Sequence, residues 1–226
     1  MKKLTRLYIT RHGQTEYNIE YRVQGWSDSP LTPYGREVAL RLGRGLRGTE
    51  FDAVYSSSSA RASDTAQIVL DNMKLNLPIN IDDNLKERGF GKLEGSILGG
   101  GVWEQAREAA VAAGYPDKLD MDILSGAYED VVPLGDTLIE KPYNVEDFTE
   151  FKTRLVSALD NICEKASDGE SNVFVVTHGF AIIAIIHALT GERYGIGSID
   201  NASVTLIENI DGVYHIRKVN DVSYLK

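Results

Sequence analysis

What this sequence has little of narrows its chemistry before any motif is read. A single cysteine, Cys163, stands in 226 residues, so no internal disulfide can form and no thiolate cluster can hold a metal. That usage suits a reducing compartment. Histidines number four, a thin supply for a metal centre. Bases are outnumbered: 24 Lys and Arg against 33 Asp and Glu leave a formal charge of −9, which disfavours non-specific attraction to nucleic acid or anionic lipid. Long hydrophobic runs are missing too. The longest markedly apolar stretch, Gly179 to Leu189, is too short to span a bilayer, and Met1-Lys2-Lys3-Leu4-Thr5-Arg6 opens the chain without the apolar segment of a secretory signal. The expectation is a soluble, cytoplasmic protein with neither a membrane nor a nucleic-acid partner, while a small anionic substrate stays open. Internal repeats, low-complexity tracts and long linkers are absent as well, so residues 1–226 read as one domain.

What is present is alternation. Leu4 to Thr10, Ala53 to Ser56 and Asn172 to Thr177 read as strands, the last with the nearly continuous apolar run of a strand buried on both faces. Between them lie helical patterns: Thr32 as N-cap with Pro33 at the first helical position and Val38, Leu42 and Leu46 on one face; Ala60 to Met73; Asp147 to Lys165; and Phe180 to Thr190, apolar almost all round. Ser203 to Ile207, the turn Asp211-Gly212 and Val213 to Ile216 read as a closing hairpin. Strands alternating with helices argue for a three-layer α/β/α sandwich on a mostly parallel mixed sheet with an antiparallel edge. The stretch from Gly99 to Tyr143 departs from this rhythm. It carries one expected helix, Val102 to Ala113, and then an acidic, Gly- and Pro-containing run of weak periodicity, the pattern of an insertion that can act as a lid.

Three places put polar, anion-compatible residues directly after an expected strand, where ligands collect in open α/β sheets. Arg11-His12-Gly13 follows the first strand and sets a permanent cation beside a titratable ring. Ser56-Ser57-Ser58-Ser59-Ala60-Arg61 follows the second and opens a helix with a guanidinium in its first turn. Thr177-His178-Gly179 follows the third. Each signal alone is weak. Parallel connectivity brings adjacent strand ends to one edge, so the three turns should converge on one anion pocket.

These residues resemble the histidine phosphatase superfamily, which includes cofactor-dependent phosphoglycerate mutases and many small-molecule phosphatases. The resemblance runs through Arg11-His12-Gly13 with Thr15 and Asn18, Gln24-Gly25-Trp26-Ser27-Asp28-Ser29-Pro30-Leu31-Thr32 with Gly35, and Ser56-Ser57 with Arg61-Ala62 and Thr65-Ala66. It continues in Leu85 with Glu87, Phe90-Gly91 with Glu94-Gly95, Thr177-His178-Gly179, and the closing Asn201 to Glu208 and Asn220 to Leu225. The resemblance implies a phosphoglycerate mutase-like fold and a set of roles. His12 would attack phosphorus and form a phosphohistidine, because one ring nitrogen keeps a lone pair while the other holds the proton. Arg11, Arg61 and His178 would surround the transferring group as its cations, with Asn18 and Gln24 adding neutral donors and Gly25 and Gly179 completing the phosphate pocket. Preset cations and donors can stabilise the equatorial oxygens without a metal, so neither metal nor cofactor is expected. Glu87 would protonate the leaving oxygen and then take a proton from the attacking water.

Within the family, a mutase returns the phosphoryl group to a bound sugar-acid hydroxyl, and 2,3-bisphosphoglycerate would be its cofactor, whereas a phosphatase admits water. Gln24 resembles the phosphatase branch. Between Gly114 and Glu150 ten acids face only Lys118 and Lys141, a poor composition for capturing phosphoglycerate carboxylates. The expectation is therefore a metal-independent phosphatase acting on a small phosphomonoester, with the mutase as the alternative and an inactive phospho-ligand-binding scaffold as a remote one. A homodimer is left open. Many family members carry Gly-Glu-Ser shortly before the helix that matches 147–165, and this chain has Tyr143-Asn144-Val145-Glu146 there, so the substrate's identity is open.

Some patterns carry no chemistry on this reading. Gly43-Arg44-Gly45-Leu46-Arg47-Gly48 satisfies GxGxxG but ends a helix instead of opening one, and no P-loop motif is present. Asn201-Ala202-Ser203 has the form of a glycosylation acceptor without a secretory context, and His187 and His215 read as structural.

Overall fold

Leu4–Arg11 forms strand β1, which runs parallel to a strand near the other end of the chain, Glu170–Thr177, with Leu4 opposite Glu170 and Arg11 opposite Thr177. The coordinates are those of a computed structural model and describe residues 3–97, 101, 104, 105, 108, 112, 143–192 and 199–226. The expected helix at 102–113 and the lid-like stretch after it thus lie essentially outside the described residues. In chain order the described elements are β1, helices α1 (Glu16–Ile19) and α2 (Pro33–Gly45), β2 (Ala53–Ser56), α3 (Ala60–Met73) and β3 (Ile79–Ile81). Then follow α4 (Phe148–Lys165), β4 (Glu170–Thr177), α5 (Gly179–Thr190), β5 (Val204–Ile210) and β6 (Val213–Asp221), with short 3-10 turns at Asp83–Leu85, Gly91–Leu93 and Ser223–Leu225.

The sheet order is β3-β2-β4-β1-β5-β6. The first four strands are parallel, β5 is antiparallel to β1, and β6 is antiparallel to β5. This is the mixed, mostly parallel α/β sheet that the alternation of strands and helices predicts. The hairpin joining β5 and β6 turns on Asp211 and Gly212, both at positive φ (51° and 90°), the geometry that an Asp-Gly pair favours.

Strand β4 explains the layering. Successive side chains of a strand point to opposite faces. Val173 and Val175 enter a core with Leu7, Ile9 and residues of α4 and α5, whereas Phe174 and Val176 enter a second core with residues of α2 and α3. Both faces of β4 are covered, which is why its sequence is apolar without alternation. Burying a side chain such as Phe174 contributes about 1.5–3 kcal/mol relative to leaving it in water. Helix α5 lies deep, with every residue from Phe180 to Ile186 buried, so its sequence shows no polar face.

Helix starts follow their caps. Thr32 Oγ1 accepts from Gly35 N at 2.9 Å with Pro33 in the first turn, and Asp147 accepts from Glu150 N at 2.9 Å at the head of α4. The GxGxxG pattern falls at the end of α2, as expected of a helix stop. Two elements have no counterpart in the sequence reading: β3, three residues long and too short to show a period, and the single-turn α1.

Candidate active site

The register puts the three turns side by side. Arg11 pairs with Thr177 across β1 and β4, and Ser56 pairs with Val176 across β2 and β4, so His12, Ser57 and His178 each step off an adjacent strand at the same edge. The backbone seals the convergence: His12 N donates to Thr177 O at 2.9 Å and Ser57 N to Val176 O at 3.0 Å.

His12 is buried, and its Nδ1 lies 2.8 Å from the carbonyl oxygen of Gly13. A carbonyl only accepts, so Nδ1 carries the proton and Nε2 keeps its lone pair. That lone pair receives Arg61 Nε at 3.3 Å. Burial, and then the charges of Arg61 and Arg11, hold the His12 ring well below the ordinary imidazole range, so it is neutral at neutral pH. The backbone around it is fixed by side chains from distant segments. Gly13 N donates to Thr65 Oγ1 at 2.9 Å, and Asn201 Nδ2 donates to the His12 carbonyl at 3.0 Å.

Arg61 is fully buried in the first turn of α3. Besides Nε, it donates Nη2 to Gly25 O at 2.8 Å and Nη1 to Ser27 O at 2.9 Å and to Asp28 Oδ1 at 3.0 Å. Burial lowers its pKa from the ordinary value and Asp28 opposes the shift; a guanidinium remains charged. Arg11 donates Nη1 to Ile199 O at 2.5 Å, while its Nε is buried with no partner among the described residues. A Cβ on Gly179 would stand only 3.2 Å from that Nε, so glycine keeps the approach clear.

His178 is completely buried, its ring centroid 5.2 Å from that of His12. Nε2 is 2.8 Å from Ser57 Oγ, and Nδ1 is buried without a partner among the described residues. Burial, with Arg61 and His12 behind it, pushes this ring well below the usual range too. His178 is therefore a neutral hydrogen-bonding group in the free site, and the fixed positive charge comes from the two arginines. Glu87 is buried in the same cluster. Its Oε2 accepts from Phe180 N at 3.0 Å at the head of α5, and its Oε1 accepts from Arg88 N at 3.0 Å. Burial raises its pKa above the usual carboxylate range, against the pull of those two N–H groups and of Arg61 and Arg11.

The remaining expected positions sit at the margin. Asn18, the third residue of α1, closes the capping box with Thr15, its Oδ1 accepting from Thr15 N at 3.1 Å and from Asn201 Nδ2 at 3.3 Å. Gln24 is tied at both ends of its amide, accepting from Thr15 Oγ1 and donating to Ser29 Oγ, each at 2.9 Å. Gly25 gives its N–H to Glu94 and its carbonyl to Arg61, so its contact with the cluster runs through the guanidinium. Other residues that support the cluster carry no site role in the sequence reading. Asn201 reads there as a glycosylation pattern, yet its side chain holds the His12 carbonyl from 189 positions away. Arg154, inside the α4 stripe, donates to the carbonyls of Asn84, Lys86 and Glu87 and to both oxygens of Glu146, and so clamps the loop that carries Glu87. Trp26 Nε1 donates to the Glu87 carbonyl at 3.0 Å. His187 and His215 lie on α5 and β6, away from these contacts.

A buried neutral imidazole that keeps a lone pair on Nε2, two guanidinium groups and a carboxyl group of raised pKa can accept a tetrahedral oxyanion and move a proton beside it. Residues 7–222 match the model of the histidine phosphatase superfamily (branch 1). The chain belongs to the histidine phosphatase superfamily. Within it, the chain is 30% identical over 230 residues to the broad-specificity phosphatase YOR283W of Saccharomyces cerevisiae, covering 98% of this chain and 88% of that protein. It is 31% identical to a metal-independent phosphoserine phosphatase of Arabidopsis thaliana, covering 99% of this chain and 84% of that one. The crystal structure of phosphoglycerate mutase from Bacillus anthracis str. Sterne superimposes with a TM-score of 0.87 at 36% identity, over 99% of this chain and 96% of that one. The fold is thus the phosphoglycerate mutase-like fold of this superfamily. Among the described residues no group of three or more His, Cys, Asp or Glu is placed to hold a metal ion, and no helix is long and apolar enough to cross a membrane.

Proposed function

We propose that this histidine phosphatase superfamily member is a phosphatase that hydrolyses small phosphomonoesters through a phosphohistidine on His12. The observation that carries the reading is the tautomer of His12: Nδ1–H is committed to the Gly13 carbonyl, and the Nε2 lone pair faces Arg61 in a buried cationic pocket. In the first step Nε2 attacks phosphorus and the ester P–O bond breaks, while Glu87 in its acid form gives its proton to the leaving oxygen. As the N–P bond forms, Arg61 Nε passes from the nitrogen to a phosphoryl oxygen. Arg11 Nε and the Nδ1 of His178, both buried without partners among the described residues, are the other donors available to the equatorial oxygens. In the second step the Glu87 carboxylate takes a proton from water, the water oxygen attacks phosphorus, and the N–P bond breaks to release inorganic phosphate and return His12 to its neutral form. Burial favours the acid form of Glu87 before the first step, and the cations favour the carboxylate after it.

The phosphatase-named relatives and the acid-rich run between Gly114 and Glu150 support hydrolysis over transfer. The 0.87 superposition on a mutase keeps transfer as the second reading. The test is phosphate release from a panel of phosphomonoesters in the presence of chelator, set beside isomerisation of 3-phosphoglycerate primed with 2,3-bisphosphoglycerate. Release that persists with chelator supports the proposal. Robust isomerisation with negligible release overturns it.

A further inference from the structure

Glu94 lies outside the cluster around His12, in the turn after Gly91–Leu93, yet its carboxylate is surrounded by donors from the loop that holds Arg61. Oε2 accepts from Gly25 N at 3.0 Å, Ser27 N at 3.1 Å and Ser27 Oγ at 2.5 Å. Oε1 accepts from Trp26 N at 2.8 Å and Phe90 N at 2.9 Å. Four backbone N–H groups and a hydroxyl on one half-buried carboxylate is far more than a solvated surface acid collects.

The same loop turns its carbonyls the other way. The peptide linking Gly25 and Trp26 gives its N–H to Glu94 Oε1 and its C=O to Arg61 Nη2, both at 2.8 Å. A trans peptide is planar with N–H and C=O on opposite edges, so anchoring the N–H aims the carbonyl. Ser27, whose N–H and hydroxyl go to Glu94, turns its own carbonyl to Arg61 Nη1 at 2.9 Å. A side chain on Gly25 would overlap the Arg88 carbonyl oxygen and crowd Glu94 Oε1, so only glycine lets the loop lie against the 88–94 segment. With both Nη atoms held, the remaining direction of the guanidinium is set, and Nε points at His12 Nε2.

From this geometry we infer that Glu94 is a positioning residue for phosphoryl transfer: it orients the 25–27 peptides whose carbonyls aim Arg61 at the reacting group. The inference rests on the phosphatase reading above. The hydrogen bonds of the Glu94 carboxylate go to the 25–27 loop and Phe90 and not to His12, and its electrostatic attraction to Arg61 acts in the same sense as the peptide dipoles between them.

The experiment compares wild type, Glu94→Gln, Arg61→Ala and the double variant on 4-nitrophenyl phosphate. The Gln amide keeps the size of the side chain but faces N–H donors with an N–H₂ group. Expected is a fall in kcat of about 10²-fold in Glu94→Gln with KM moved less than about threefold, because a misaimed group is felt chiefly in the transition state. In the Arg61→Ala background the same substitution should change kcat by less than about threefold, since the residue it acts through is gone. Equal losses in the two backgrounds, or an unchanged kcat in Glu94→Gln, would overturn the role. Should Glu94→Gln fail to fold, Ser27→Ala removes one donor to Oε2, and its smaller loss must likewise vanish when Arg61 is absent. Failure of the wild type to release phosphate would instead sink the phosphatase reading itself.

Discussion

Arg61 Nε stands 3.3 Å from His12 Nε2, so a permanent cation on α3 faces the lone pair of the imidazole that ends β1. The contact has two consequences. On the proposed mechanism it sets a donor where a phosphoryl oxygen would arrive, and its charge helps to keep the ring unprotonated, second only to burial.

Removing that charge should therefore be visible in both rate and pH dependence. Arg61→Ala should lower kcat by about 10²–10³-fold, the usual loss of one preset donor. With the neutral ring as the proposed reactive form, the rising limb of kcat/KM against pH should lie below the ordinary imidazole range in the wild type, and it should move up in the variant as the His12 pKa recovers. A rate loss with an unmoved limb would separate Arg61 from the electrostatics of His12.

Glu87 should govern the opposite limb. Its acid form is stabilised by burial, so activity that needs a proton donor should decline with rising pH at a value above the usual carboxylate range. Glu87→Gln should flatten that limb. Its loss should be severe for an alkyl phosphate and mild in the phosphorylation step for 4-nitrophenyl phosphate, whose leaving group departs without a proton. Equal losses on both esters, measured by single-turnover kinetics, would remove Glu87 from the acid role.

Stability should also follow pH through the buried histidines. His12 and His178 have folded-state values depressed below the unfolded value near 6.5, so the unfolded chain binds more protons just below that pH. Their contribution is complete above about pH 6.5 and is lost as pH falls through the depressed values. Glu87, raised by burial, acts in the opposite sense: its contribution is complete below its unfolded value near 4.5 and fades as pH rises through the folded one. Urea midpoints between pH 7 and pH 5 should fall less steeply in His12→Gln than in the wild type. Parallel curves would mean that the His12 ring is not held neutral by the fold.

The parts of this molecule that are legible in its sequence are those written locally. The runs of β1, β2 and β4, the Thr32 cap and the apolar α5 are each written within one element, and the three turns expected after the strands leave the sheet side by side at one edge. Convergence of His12, Arg61 and His178 follows from parallel connectivity alone. What escapes a linear reading is support from afar. Asn201 bonds the His12 carbonyl across 189 positions, and Arg154 grips the Glu87 loop across about 70, so neither has a local signature. Gln24, expected as a phosphate donor, finds hydroxyl partners in Thr15 and Ser29 that only the folded turn provides. His178 counts as a cation on paper, but complete burial beside two arginines makes it neutral.

The central claim is that His12 carries the phosphoryl group. Turnover of a ³²P-labelled phosphomonoester, quenched in alkali where a phosphorus–nitrogen bond survives and followed by peptide mapping, tests it most directly. The account predicts acid-labile label on the peptide that contains His12, formed fast enough to support turnover and absent from His12→Ala, which releases no phosphate. Label on another residue, or a His12→Ala variant that keeps most of its activity, would contradict it.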